Sequence, residues 1–391
     1  MSAPIFVLSD HYENWINLNP LTLSKPISLL RVGISTIQEK WQHYTKETPQ
    51  IKTCAPYLSN WDTWKPKPNH AYLLVNSCII PDDLLWQAIK SLSLGQSLYH
   101  HEDLIASYVQ VGKEVFEEEI QFDGQVMQIN YPWDIFSKNE YILRQDFARV
   151  IANRISNPLS QTNSLIGPQN QLFIEEGASV EGAILNTTNG PIYIGKDAEV
   201  MEGSVVRGAL ALCNNAVLKL STKIYGATTI GPYSKVGGEV NNSVIQGYSN
   251  KGHDGFLGNS VIGEWCNLGA DTNNSNLKNN YGEVKVYSYN KKNFINSRLQ
   301  FLGLIMGDHS KCGINTMFNT GTVVGVFANI FGGGFPQKFI RSFSWGGSEG
   351  STKYRLESAL EVAERVMERR GKNLSEDDKN ILKFIYENSQ E

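Results

Sequence analysis

Between Ile194 and Ile330, aliphatic or small apolar residues recur at every sixth position. Ile194, Val200, Val206, Leu212, Leu218, Ile224, Ile230 and Val236 form eight beats without a gap. The beat restarts at Phe256, Ile262 and Leu268, and again at Met306, Cys312, Phe318, Val324 and Ile330. This period is neither that of a helix nor that of a single strand. It fits a parallel β-helix, in which each beat places one side chain in a narrow interior. Apolar residues are 41% of the chain, so composition alone does not produce eight consecutive hits in one register. Small residues four places after the beat, such as Ala198, Ser204, Ala216, Thr222 and Ser234, let a corner turn tightly.

The flanks follow other periods. Pro4 to Leu8 and Ala71 to Asn76 read as apolar strands, and Ile34 to Tyr44 as a helix. Pro81 is expected to open another helix at its first position. A helical pattern then runs through Asn139, Leu143, Phe147, Val150 and Ile155, and the polar stretch after Asn157 marks a boundary. Residues 271 to 299 break the repeat, which reads either as a functional loop or as a solvated one. Beyond Phe331-Gly-Gly-Gly-Phe-Pro336, the aromatics Phe339, Phe343 and Trp345 are expected to cap the open end of the coil. Leu356, Leu360, Ala363 and Met367 form one helical stripe that stops at Gly371. Ser375 with Asp378 starts a second helix carrying Ile381, Leu382 and Ile385. The expected domains are residues 1–158, an α/β domain with its linker helix; 163–335, the β-helix; and 336–391, a capping segment with two helices.

Charge and cysteine usage narrow the function. With 391 residues, a net charge of −4 and a pI near 6.0, the chain offers no basic stripe for nucleic acid. No apolar run reaches the length of a membrane span, and the first residues lack the order of a signal peptide, so a cytoplasmic location is expected. The five cysteines show neither CxxC nor a disulfide spacing. Cys266 and Cys312 fall on corner and beat positions and read as core. No metal-ligand set is evident.

Three hexads per turn would make a triangular prism. The pattern resembles the left-handed β-helix of hexapeptide-repeat acyltransferases, whose hand is implied by the resemblance. The chain also resembles the acetyltransferase half of the bifunctional family that makes UDP-N-acetylglucosamine from glucosamine 1-phosphate. The likeness is densest over Lys251-Gly-His-Asp-Gly-Phe-Leu-Gly-Asn-Ser-Val-Ile-Gly-Glu-Trp-Cys-Asn-Leu-Gly-Ala270. The N-terminal layout resembles the nucleotidyltransferase half, and Pro20-Leu-Thr-Leu-Ser-Lys-Pro-Ile-Ser-Leu-Leu30 echoes its proline- and lysine-containing segment. Two departures stand out. The family's glycine-rich phosphate loop follows the first strand, whereas the first glycine here is Gly33. The family's Mg²⁺-binding aspartate follows the strand that ends here at Asn76, where this chain reads Ser77-Cys78. The chain is similar to a diverged two-domain family of sugar nucleotidyltransferases.

The resemblance implies roles for particular residues. His253 falls on the general base, and an imidazole suits removal of a proton from an amine that attacks a thioester. Taken without the resemblance, it is a loop histidine beside two glycines. Lys223 replaces a phosphate-binding arginine, keeping the charge and losing the bidentate fork. Asn241 stands for a phosphate-binding lysine and Phe256 for a tyrosine, so a charge and a hydroxyl are lost. Asn267 and Asn276 match sugar-contacting asparagines, Lys278 supplies charge from the excursion, and Ala270 and Asn315 fall beside the coenzyme. The expected activity is transfer of an acyl group, acetyl from acetyl-CoA, to an amino sugar, sugar phosphate or nucleotide sugar by a homotrimer. Mg²⁺ would enter only with an active N-terminal domain. Sugar-1-phosphate nucleotidyl transfer and a non-catalytic scaffold are the alternatives.

Overall fold

A computed structural model describes residues 4–112 and 118–389. The chain forms two compact units. The first comprises Met1–Leu18, Lys25–Leu30 and Ser35–Tyr131; the second takes Asn19–Ser24, Arg31–Ile34 and Pro132–Glu391.

The first unit is an α/β sheet in which strands Gln50–Lys52, Ile5–Ser9 and Ala71–Asn76 run parallel in that spatial order. Asp103–Gln110 and Gln96–His100 add antiparallel pairs, and Glu118–Gln121 closes the edge. The unbroken apolar run Ile5-Phe-Val-Leu8 suits a strand covered on both faces. Helix Ile37–Thr45 begins with a capping box between Thr36 and Glu39, and its Trp41 donates its indole N–H to the Ile79 carbonyl at 3.0 Å. Helix Asp83–Lys90 is capped by the Asp82 carboxylate, which accepts from the Leu85 N–H at 2.8 Å. Pro81 therefore lies outside this helix and not at its first position.

The second unit is the expected parallel solenoid. Among the described residues its three faces hold six, nine and ten strands, beginning at Ser164–Ile166, Leu172–Ile174 and Ser179–Val180. Every rung is parallel until the last, where Gly350–Lys353 turns back against Ser344–Gly347. The interior is one continuous apolar column in which the six-residue beats from Ile194 to Val236 all point inward. After Val236 the spacing shortens, because only Gly237 and Gly238 separate strands Lys235–Val236 and Glu239–Asn241. The inward positions become Val240, Ile245, Lys251 and Leu257. Phe256, expected on the beat, is displaced to the outer side of its strand while Leu257 takes the interior.

One corner carries a feature that the beat did not disclose. Where the second face turns into the third, Asp197, Asn215, Tyr233, Tyr248, Trp265, His309, Phe327 and Phe343 all adopt left-handed backbone, with φ between 53 and 61°. This conformation suits Asn and Asp and disfavours bulky residues. From Tyr233 onward the corners are aromatic and stacked, with centroids 5.1, 4.2, 6.2, 4.6 and 5.3 Å apart down to Phe343. Aligned rings stabilise one another by about 0.5–1.5 kcal/mol per pair, which offsets part of the backbone cost. Phe343 is thus a rung of this ladder, Phe339 stacks on Tyr287 at 3.6 Å, and Trp345 lies against Phe331 and Tyr354. The three aromatics expected to plug the prism instead line its outside.

The second face is covered within its own unit. Helix Asn139–Ile151 lays Leu143 and Phe147 on Phe173, Tyr193 and Ala211. The helix ends there, and Ile155 is 95% exposed in place of continuing the expected stripe. Arg31–Ile34 is bound beside it. Gln246 exchanges hydrogen bonds with the Arg31 backbone at 2.6 and 2.9 Å, and the Gly33 N–H donates to Asn139 Oδ1 at 2.7 Å. Gly33 has φ +69°, and a Cβ there would lie 2.5 Å from Asp146 Oδ2. The excursion starts later than expected, since Asn273–Asn274 still pairs with Met317–Phe318. It forms a hairpin of Lys285–Ser288 and Asn293–Asn296. Helices Leu356–Glu368 and Glu376–Asn388 follow, the second capped by Ser375 and Asp378 as expected.

Candidate functional site

The corner between the third and first faces carries His253. Strand Asn250–Lys251 ends there, and Gly252 to Gly255 turn the chain into strand Phe256–Gly258. The turn rests on the two-residue corner of the preceding coil: a Cβ on Gly238 would lie 2.8 Å from Asp254 Cα and 2.9 Å from the His253 carbonyl oxygen. Above it, the Asp271 N–H donates to the Asp254 carbonyl at 3.0 Å, and the Asn315 N–H to the Ala270 carbonyl at 2.8 Å. Successive coils therefore place His253, Ala270 and Asn315 on one corner. The imidazole is exposed, and among the described residues no side chain or carbonyl bonds it.

The other expected residues divide into two groups. Lys223 and Phe256 lie in one outward row of the first face, at the end next to the His253 corner, with Glu239 between them in register. Glu239 accepts a hydrogen bond from Tyr225 at 2.5 Å. Asn267, just before the corner on the third face, accepts from Asn250 at 3.0 Å. Asn241 pairs with Tyr225 at the far end of the first-face strands. Asn276 donates to Asn259 at 2.8 Å, near the next corner. Lys278, in the excursion, donates to the Glu283 carbonyl. One chain thus assembles His253, Lys223, Phe256, Asn267, Ala270 and Asn315 around one corner, and sets Asn241, Asn276 and Lys278 apart from it.

The first unit offers a second polar site at the carboxyl ends of its three parallel strands, the usual ligand position of an open α/β sheet. Asp10 follows the first strand and is buried, accepting from the Ile27 N–H at 3.3 Å. Burial raises its pKa from 3.8 to about 7, with partial relief from Ser77 and the Ile27 N–H, while Asp62 pushes it further up. The Ser28 hydroxyl beside it is buried without a hydrogen-bond partner among the described residues. Cys54, beside Asp10, is pushed up to about 12 by burial and the neighbouring carboxylate. A Mg²⁺ needs oxygen ligands of which the charged ones are carboxylates. Among the described residues no three His, Cys, Asp or Glu side chains converge into a metal-holding group, and Asp10 is the buried carboxyl at this strand end.

Residues 6–155 match the sugar nucleotidyl transferase family. The bifunctional sugar-1-phosphate nucleotidylyltransferase/acetyltransferase of Sulfurisphaera tokodaii is 28% identical over 216 residues, covering 55% of this chain and 47% of that protein. The bifunctional protein GlmU of Methanocaldococcus jannaschii is 31% identical over 217 residues, covering 54% and 46%. The matched region is under half the length of each of these relatives. The polySia-specific acetyltransferase NeuO aligns over 54% of this chain and 99% of its own at 13% identity, with a TM-score of 0.27, too low to carry weight. The expected likeness to bifunctional transferases is thereby found, and so is the expected pairing of a nucleotidyltransferase-like α/β domain with a β-helix and terminal helices.

Among the residues that the sequence reading passed over, Lys251 stands closest to this corner. It occupies an inward position, paired in register with Val236, and only the changed spacing after Gly238 betrays it. Lys311 is a second half-hidden lysine, which donates to the His309 carbonyl at 2.8 Å, and burial lowers its pKa to about 8. No described helix is long and apolar enough to cross a membrane.

Proposed function

We propose that this chain transfers an acyl group, acetyl from acetyl-CoA, to the amino group of a sugar, sugar phosphate or nucleotide sugar. The observation that carries the reading is the corner itself, where exposed His253 stands one coil from Ala270 and two from Asn315. In this reading His253 takes the proton from the attacking amine, backbone N–H groups of the corner stabilise the oxyanion, and the pantetheine lies along the prism. Lys223 holds an anionic group of the acceptor. The names of the relatives support acyl and nucleotidyl transfer as reaction classes. Because Asn241, Asn276 and Lys278 lie away from His253 on one chain, a homotrimer completes the site in the groove between neighbours. The exposed first-face side chains Ile184, Val205 and Met317 suit such a contact. A cytoplasmic location accords with a nucleotide-sugar pathway.

Sugar-1-phosphate nucleotidyl transfer is the second reading, favoured by the family match over residues 6–155. Against it stand Asp10 at the end of the first strand, where a triphosphate needs hydrogen-bond donors, and the absence of a carboxylate at Ser77. A non-catalytic scaffold is the third. Thiol release from acetyl-CoA over a panel of amino sugars and their phosphates, with wild type and His253→Ala, separates them. Acceptor-dependent release lost in the variant is the expected result. Equal rates in the two proteins end the role of His253, and pyrophosphate-dependent release of a sugar phosphate moves the activity to the first unit.

A further inference from the structure

Lys251 is 3% exposed and sits in the apolar column of the solenoid, with Val236 in the coil before it and Leu268 in the coil after. Its ammonium donates to the Gly237 carbonyl at 2.9 Å and to the His253 carbonyl at 2.8 Å. The first carbonyl belongs to the corner on which the His253 turn rests; the second belongs to His253 itself. A methionine or leucine would fill this column without placing a charge among aliphatic side chains, which is costly. The two bonds show what the charge does there. It ties two successive turns of one corner together from inside the prism and fixes the direction of the His253 peptide. Asp254 and Asp271, on the same corner, favour the charged form against the burial that lowers it toward about 8.

We infer that Lys251 is a positioning residue for His253, holding the corner from within so that the imidazole projects at a fixed height and angle toward the groove beside Ala270. The inference rests on the proposed role of His253 as base. Lys251 touches no substrate in this arrangement and acts only through the backbone it holds. The sequence pattern hides it, because an inward lysine looks like one more polar corner residue.

The test compares wild type, Lys251→Met, Lys251→Gln and His253→Ala in the acetyl-CoA thiol-release assay. Backbone hydrogen exchange is followed at residues 252–255 and at a remote corner near Asn215. The expected result is a kcat roughly 10- to 100-fold lower in Lys251→Met, as for a displaced catalytic group. KM for acetyl-CoA should stay within about twofold, because binding is not what is lost. Lys251→Gln, which keeps one donor, should fall between. Exchange should quicken at residues 252–255 and remain unchanged near Asn215. Wild-type kcat in Lys251→Met beside an inactive His253→Ala overturns the positioning role and leaves the base in place. Wild-type activity in His253→Ala overturns both. Unaltered exchange at the corner overturns the tie whatever the acceptor turns out to be. Failure of both Lys251 variants to fold makes the lysine a structural residue and likewise overturns the inference.

Discussion

Replacing Lys251 by methionine also tests the electrostatics of the prism interior, through stability and not through activity. Burial draws the lysine pKa down from 10.5 to about 8. The folded value lies below the unfolded one, so between about pH 8 and 10.5 the unfolded chain binds the extra proton and stability rises with pH. Below that window the folded chain carries the full cost of the buried charge, roughly 3 kcal/mol at 1.36 kcal/mol per pH unit. Methionine does not titrate, and the two carbonyls it would leave unbonded cost the same at every pH. The difference in unfolding free energy between wild type and Lys251→Met should therefore move toward the wild type by about 2 kcal/mol between about pH 7.5 and 9.5. Urea unfolding at one fixed protein concentration measures it, and Lys311, present in both proteins, cancels. A difference that stays flat with pH would show that the ammonium is not desolvated. A difference that moves the other way would show that the corner raises the pKa. Either outcome refutes the placement.

Two further outcomes concern other parts of the chain. Asp10 has a folded pKa of about 7 against 3.8, so it lowers stability progressively as pH rises from about 4 to 7; Asp10→Asn should abolish that contribution to the slope in urea unfolding between about pH 4 and 7, and an unchanged slope would show that another group is responsible. Gly33→Ala introduces a Cβ 2.5 Å from Asp146 Oδ2 on backbone at φ +69° and should cost about 2 kcal/mol or more, read as a lower midpoint in thermal unfolding; an unchanged midpoint would mean that Arg31–Ile34 does not hold the conformation described.

The solenoid was legible because each inward strand position must be apolar and each coil repeats the last. The run from Ile194 to Val236 meets that demand without exception. Legibility failed where the corner Gly237-Gly238 shortened the coil. A constant beat then put Phe256 inside and overlooked Val240, Ile245, Lys251 and Leu257. The aromatic ladder was hidden for a different reason: Tyr233, Tyr248 and Trp265 are separated by irregular spacings, and only the left-handed corner brings them into one column. In the first unit strand Ala71–Asn76 followed from local chemistry, as did the Ser375 cap in the second, whereas the helix expected to open at Pro81 is capped by Asp82 instead. The burial of Asp10 did not follow from local chemistry, because it depends on segments that meet only in three dimensions. The same holds for the candidate site. His253, Ala270 and Asn315 stack because coils stack, whereas the separation of Asn276 and Lys278 from them depends on where the excursion leaves the coil.

The unit carrying the solenoid borrows two short stretches, Asn19–Ser24 and Arg31–Ile34, from the opening tenth of the chain. Severing the polypeptide before Pro132 would strip Thr229 and Asn139 of Gly33, and Asp308 of its 2.5 Å bond from Ser24. No single cut yields two intact modules. Swapping either half for that of a distant cousin would need splices at several points.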